Sequence, residues 1–269
     1  MFSAAGKHDH AKKIMNKINE LVKSRWILLY LIFVEGFVSI AVEVLVMRQL
    51  TPFVGTSVVV TSIIIGIVLL FMAIGYWSGG LHQKHFYDVL NRNFVWAAIF
   101  IGVGLAYPFV SYFFSVLPST WVLMELVLYL LLIISPLVYL LGQTIPLTMN
   151  LVKQENIVGA TGGKVLFLST VGSFFGSVLT TLLLVEFLGV AWSIFINFSL
   201  LFSLILLSPS RRHHYLYLSL GPALFLLVFV VNVVFEQRYF VATTNYGNYQ
   251  VEVERSATGD NGKTLSINN

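Results

Sequence analysis

The sequence predicts an all-α polytopic membrane protein with about seven transmembrane helices and a short C-terminal β-hairpin stub. Of its 269 residues, 57% are hydrophobic and only 10% are charged, whereas a soluble domain carries about a quarter charged residues. The apolar residues are gathered into runs near the roughly 20 residues that a helix needs to cross the hydrocarbon core. Alternation of apolar and polar residues appears only near the C-terminus.

Residues 1–25 form a basic N-terminal segment in which six Lys and Arg residues face two acidic ones. Four of its apolar residues recur at helical spacing, which predicts a short helix lying on the membrane surface: Ile14, Ile18, Leu21 and Val22. We do not expect a signal peptide, because the basic stretch is long and no small-residue cleavage site follows the apolar run.

Residues 26–235 form the predicted helical bundle. Its seven hydrophobic segments lie at 26–47, 53–78, 94–116, 121–141, 164–188, 190–207 and 214–235. With the N-terminus in the cytoplasm, twelve of the sixteen Lys and Arg residues fall on the inner side. We therefore expect a multi-pass membrane protein with a cytoplasmic N-terminus. Seven crossings then place the C-terminal tail outside.

The tail, residues 236–269, changes character. Residues 249–255 alternate apolar and polar, 256–262 are rich in Gly, Asp and Asn, and 263–269 are suited to a return strand. An isolated two-stranded hairpin is marginally stable in water, so this soluble tail needs a partner.

Two carboxyl groups lie within the first predicted membrane helix, at Glu35 and Glu43. Ionisable groups cost about 2.5–3.5 kcal/mol each on insertion scales, so they raise a functional hypothesis by default. The two residues are eight apart, about 80° around a helix, and share one side of it. Two interpretations stay open: both line a polar cavity or binding site, or each is hydrogen-bonded to a neighbouring helix and locks the bundle.

Small residues predict two close helix contacts. Gly75 and Gly79 form one GxxxG pair, and Gly172 and Gly176 form another beside serines repeated at every fourth position. Such faces drive helix pairing within a bundle or formation of a homo-oligomer. Residues 142–146 carry Gly and Pro, which suits either a broken, re-entrant helix or an ordinary cytosolic loop.

Several site chemistries are not expected. The chain has no cysteine, and its histidines lack carboxylate partners at ligand spacing, so we predict no metal site. Its basic residues form no stripe beside aromatics, so nucleic acid is not an expected partner. A dinucleotide fingerprint, P-loop and nucleophile elbow are missing from the sequence, so we predict no complete catalytic site here.

Five stretches follow one another in order between Glu43 and Gly189: Glu43–Arg48, Val54–Ser57, Gly66–Gly80, Gly142–Leu147 and Gly163–Gly189. They resemble the membrane-embedded N-terminal region of bacterial spermidine-synthase-like proteins, also described as fused transporter–spermidine synthases. The resemblance implies a protein of the bacterial inner membrane. Gln143 stands where the family has Ala, and Ser169 stands where Asn is usual.

The tail adds to this resemblance. Residues 246–253 look like the first strand of a polyamine aminopropyltransferase, where a Tyr-Gln pair opens the N-terminal β-hairpin, and 264–268 resemble the second strand. The resemblance implies a substrate-binding role for Gln250, with Tyr249 beside it. It also implies decarboxylated S-adenosylmethionine as co-substrate of a catalytic domain supplied elsewhere, since that domain's nucleotide-binding loop and catalytic Asp have no counterpart in these residues.

Three functional hypotheses follow. In the first, the chain is the membrane module of a spermidine-synthase-like protein in polyamine biosynthesis, and it anchors or feeds a soluble aminopropyltransferase-type domain or chain. In the second, it is a small transporter for a cationic substrate such as a polyamine, with Glu35 and Glu43 lining the path. In the third, it is a non-catalytic structural or oligomerising membrane subunit, embedded in the lipid bilayer.

Overall fold

The computed structural model describes residues 4–82, 86–116, 121–152, 158–207, 214–236, 242–243, 248–255 and 261–268. Side chains are described for 26–82, 86–116, 121–151, 162–207 and 221–236. Ten α-helices occur in these residues: α1 Ala4–Val54, α2 Val58–Gly80, α3 Phe86–Ile99, α4 Tyr107–Val116, α5 Val122–Tyr129, α6 Ser135–Gly142, α7 Thr144–Val152, α8 Val158–Leu179, α9 Gly189–Leu207 and α10 His214–Phe229.

Four π-helical turns interrupt or extend these helices in the described part of the chain. They are π1 Phe100–Gly104, π2 Leu130–Ile134, π3 Thr180–Leu188 and π4 Val230–Val234. After the last turn come three short strands, β1 Ala242–Thr243, β2 Asn248–Arg255 and β3 Asn261–Asn268. They form one antiparallel sheet in the order β1-β2-β3.

Four helical runs in the described residues are long and apolar enough to cross a membrane: Trp26–Val54, Val58–Gly80, Val122–Leu151 and Gly162–Leu207. A fifth follows if Phe86–Gly104 and Tyr107–Val116, which are bent by 70°, are taken as one broken span. Tryptophans near the ends of these apolar runs are strongly exposed, as an interfacial aromatic belt requires: Trp26 at 68%, Trp77 at 71% and Trp121 at 71%. The fold is therefore a bundle of apolar helices of the kind found in membrane proteins.

The predicted domain boundary at residue 25 does not coincide with the end of a helix. Helix α1 begins at Ala4 and continues into the apolar run that starts at Trp26. The prediction that the first part of this helix lies on a membrane surface stays a prediction.

The third predicted segment, 94–116, is not one straight helix. It bends between π1 and α4, where Pro108 occupies the first turn of α4. Proline has no N–H and cannot continue a hydrogen-bond ladder to the carbonyl four residues earlier, which here belongs to Gly104. The bend is the consequence, and hydropathy alone, which treats 94–116 as one apolar segment, does not indicate it.

The fourth predicted segment extends further than its hydropathy indicates. Helical structure runs from Val122 to Leu151, with Gln143 in helical conformation at φ −64° and ψ −21°. Residues 142–146 therefore lie inside a helical run that is interrupted at Gln143, between α6 and α7, and they do not form a loop. Pro136 is accommodated directly after the widened turn π2, without a sharp kink.

Helix directions follow from contacts. Gly36 lies against Ser169 and Phe37 against Gly176, so later residues of α1 meet later residues of α8, and the two helices run parallel. The Tyr30 hydroxyl lies 2.9 Å from the Ser203 hydroxyl near the end of α9. The chain has therefore reversed direction between α8 and α9.

Gly189 is where the reversal occurs. Its φ of 83° and ψ of 175° are a conformation that a residue with a side chain avoids.

Helix α10 then runs antiparallel to α9, and aromatic rings pack between the two helices. Phe202 lies 4.8 Å from Phe225, and Phe198 lies 5.0 Å from the same ring, as measured between centroids. The run Gly162–Leu207 is thus two helices of opposite direction.

Candidate functional site

The closest helix contact in the candidate site joins α1 and α8, and we call it the α1–α8 seam. A Cβ atom added at Gly36 would collide with the backbone of Ser169. Added at Gly172 or Gly176, it would collide with the carbonyl oxygens of Phe33 and Phe37. Glycines of both helices therefore let the two backbones touch. Gly36 was not singled out from the sequence, because α1 has no second glycine at a four-residue spacing from it.

Glu35 lies in this seam, and its side chain is only 2% exposed. The Ser39 hydroxyl donates to Oε1 at 3.0 Å, and the Ser169 hydroxyl of α8 donates to Oε2 at 3.2 Å. The residue is nine positions after Trp26, about 14 Å along the helix and near the middle of a 30 Å hydrocarbon core. Glu35 thus links the two helices through a buried carboxyl.

Glu43 has a different environment. Its side chain is half-buried, and no hydrogen bond to another described residue holds it. A direct pair with Arg48 would require α1 to end between them, but α1 continues to Val54. Residues five apart on a helix point about 140° away from each other. Glu35 and Glu43 are therefore not equivalent, since the seam holds Glu35 alone.

The second glycine pair lies where α2 crosses the end of α6. A Cβ at Gly75 would be 2.5 Å from the Tyr139 carbonyl oxygen, and one at Gly79 would be 2.8 Å from that of Gln143. Gly142 meets the Met72 carbonyl oxygen in the same way at 2.7 Å. The two helices run parallel, with bare faces on both sides.

Gln143 connects three helices beside this crossing. Its Oε1 accepts from Asn93 Nδ2 of α3 at 2.6 Å, and its Nε2 donates to the Ser78 hydroxyl of α2 at 3.0 Å. Asn93 and Gln143 are buried, and Ser78 is half-buried. Sequence reasoning noted Gln143 only as a departure from a family pattern. A lone Gln beside Thr and Pro gave no indication that a partner lay 50 positions away.

Two further polar side chains donate hydrogen bonds to carbonyl groups of a π-helical turn. The Tyr129 hydroxyl donates to the Gly104 carbonyl at 2.6 Å, and Asn232 Nδ2 donates to the Gly102 carbonyl at 2.7 Å. Both acceptors lie in π1, where the regular hydrogen-bond ladder is interrupted. These contacts connect α5 and π4 to π1.

Two further carboxyl groups lie near the ends of predicted membrane segments, at Glu125 and Glu186. Glu186 is exposed. Glu125 is 7% exposed, and its Oε1 has no hydrogen-bond partner in the described residues. Glu125 is therefore buried in the bundle, although it lies near the start of α5.

The residues implied by the tail resemblance lie in β2. Tyr249 pairs with Ile267 and Gln250 pairs with Ser266 of β3, so the two residues belong to opposite faces of the sheet. Their side chains are outside the described residues. Within those residues, no group of three or more His, Asp or Glu side chains lies close enough to hold a metal ion.

Comparison with known proteins adds no relative. No family model, no curated protein and no solved structure matches this chain.

Proposed function

We propose that this chain is the membrane module of a spermidine-synthase-like protein, which anchors or feeds an aminopropyltransferase-type domain. The supporting observation is the pairing of β2 with β3 after the last helix. It extends over eight residue pairs, from Asn248 with Asn268 to Arg255 with Asn261. These are the two stretches whose sequences resemble the opening hairpin of such an enzyme.

Seven membrane crossings are the second part of the proposal. The reversal at Gly189 and the antiparallel contacts of α10 with α9 support separate sixth and seventh crossings. In this proposal the bent pair of Phe86–Gly104 and Tyr107–Val116, taken as one broken span, is the third crossing. With the N-terminus in the cytoplasm of a bacterium, the sheet and the domain that it introduces lie on the outer face of the inner membrane.

The coding sequence around this segment tests the proposal. We expect the same gene or its immediate neighbour to encode a nucleotide-binding domain of the aminopropyltransferase type, which uses decarboxylated S-adenosylmethionine. A gene and neighbours that encode no such domain would contradict the anchoring role.

A small transporter for a cationic substrate is the second candidate. One observation favours it: within the described residues, the buried Glu35 carboxyl pairs with no Lys, Arg or His. A carboxyl without a basic partner in a dry site attracts cations. In proteoliposomes, Glu35→Gln and Glu43→Gln would each abolish polyamine uptake by a transporter. Unchanged uptake in both variants would rule that function out.

A further inference from the structure

Glu35 is a buried acidic side chain in the α1–α8 seam, and the proposed anchoring role does not require it. We propose that Glu35 is a proton-binding site, whose carboxyl takes up and releases one proton inside the α1–α8 seam while Ser39 and Ser169 remain its hydrogen-bond partners. The ligand is a proton from water, and uptake neutralises the carboxylate. The inference goes beyond anchoring and does not depend on it.

The partners of the carboxyl are suited to both of its states. Each oxygen faces a serine hydroxyl, at 3.0 Å and 3.2 Å. A hydroxyl both donates and accepts, whereas an ammonium or guanidinium group only donates. The two hydroxyls donate to a carboxylate. When the carboxyl is protonated, one hydroxyl accepts its O–H instead.

The serine hydroxyl that accepts the carboxyl O–H must direct its own hydrogen to another acceptor, and the helix provides one. A serine within a helix can donate to the carbonyl four residues earlier. For Ser169 this is the carbonyl of Val165, and for Ser39 it is that of Glu35 itself. Rotation of a hydroxyl therefore accompanies proton uptake, and no helix has to move.

The charges around the site leave both states accessible. Tyr76 of α2 interacts electrostatically with Glu35. Burial without a cationic partner favours the neutral acid, because an isolated charge is costly in hydrocarbon. Two hydroxyl donors, one from each helix, favour the carboxylate. A fixed ion pair would hold one state only.

The structural alternative is a Glu35 that stays protonated and only links the helices. It predicts the same hydrogen bonds and the same loss of stability on substitution. The two differ in one respect: only a proton-binding site changes its protonation when the pH of the medium changes.

Infrared difference spectroscopy on the purified full chain in lipid nanodiscs separates them. Between mildly acidic and mildly alkaline buffer we expect a carbonyl band of a protonated carboxyl that disappears at alkaline pH. Glu35→Gln should lack this band, and the matched variant Glu43→Gln should keep it. Identical difference spectra for the parent and Glu35→Gln would overturn the proposal.

A second variant keeps the test valid if Glu35→Gln fails to fold. Ser169→Ala removes one donor from the carboxylate, so the band should persist and titrate at higher pH than in the parent. A hydrogen bond to a charged group is worth about 1.5–3 kcal/mol, which corresponds to roughly one to two pH units. Ser169→Thr restores the hydroxyl and should restore the parent titration. An unshifted band in Ser169→Ala would contradict the role of this serine.

Discussion

The Tyr129 hydroxyl donates a hydrogen bond of 2.6 Å to the Gly104 carbonyl, beside the bend between π1 and α4. Pro108, four residues after Gly104, has no N–H to offer that carbonyl. A side chain from α5 thus replaces the backbone donor that the proline removes. A buried carbonyl without a donor is destabilising, so the bend depends on this contact.

Tyr129→Phe should therefore destabilise the bundle by about 0.5–2 kcal/mol, because the Gly104 carbonyl loses its donor while the ring and its packing remain. Thermal unfolding in detergent measures the effect. Tyr112→Phe is the matched control, since that side chain is 69% exposed. Equal stability of Tyr129→Phe and Tyr112→Phe would contradict this account of the bend.

Alanine at Gly172 or Gly176 should weaken the α1–α8 seam. The added methyl group meets a carbonyl oxygen of α1, and backbone cannot yield as a flexible side chain does. We expect a loss of about 1–3 kcal/mol, despite the higher helix propensity of alanine. Gly66→Ala is the control: nothing lies within 4 Å of its Cβ position, and we expect it to be neutral or stabilising. Seam variants as stable as Gly66→Ala would refute the close contact.

Gln143 and Asn93 should be energetically coupled. Replacing either by Leu breaks the hydrogen bond from Asn93 Nδ2 to Gln143 Oε1, so the double variant should lose less than the sum of the single losses. A coupling of about 0.5–2 kcal/mol in a double-mutant cycle is the expected result. Gln143→Leu combined with Asn232→Leu should be additive, since Asn232 bonds to Gly102 instead. A Gln143–Asn93 cycle without coupling would show that the two amides do not act together.

The side of the membrane reached by the tail tests the seven crossings. The chain has no cysteine, so Ser256→Cys and Ser3→Cys each introduce a single label site. With an impermeant maleimide on intact spheroplasts, we expect Ser256→Cys to react and Ser3→Cys to react only after lysis. Labelling of Ser256→Cys solely after lysis would remove one crossing from the proposed topology.

Hydropathy located the helical segments well because each buries apolar residues in lipid or protein. It failed where polar residues are buried in the protein instead. Gln143 and Thr148 lowered the apparent hydropathy after residue 141, yet both are at most 4% exposed and the helix continues through them. The bend at Pro108 was missed because hydropathy averages over the whole segment 94–116 and does not register a single proline.

Part of the candidate site could be predicted from the sequence. GxxxG spacing pointed to Gly172 and Gly176, which lie in the seam, but spacing within one helix says nothing about its partner. Gly36 therefore emerged only with the fold. Glu35 and Glu43 looked alike in sequence, and it is the position of Ser169 on α8 that distinguishes them.

Aminopropyl transfer by membranes tests the proposed function most directly. Membranes from cells expressing the complete gene with its neighbours should transfer a labelled aminopropyl group from decarboxylated S-adenosylmethionine to putrescine. Gln250→Ala should reduce this transfer, and the activity should remain with the membrane fraction after washing. No transfer by these membranes, with the chain present at normal levels, would contradict the assignment to a spermidine-synthase-like protein.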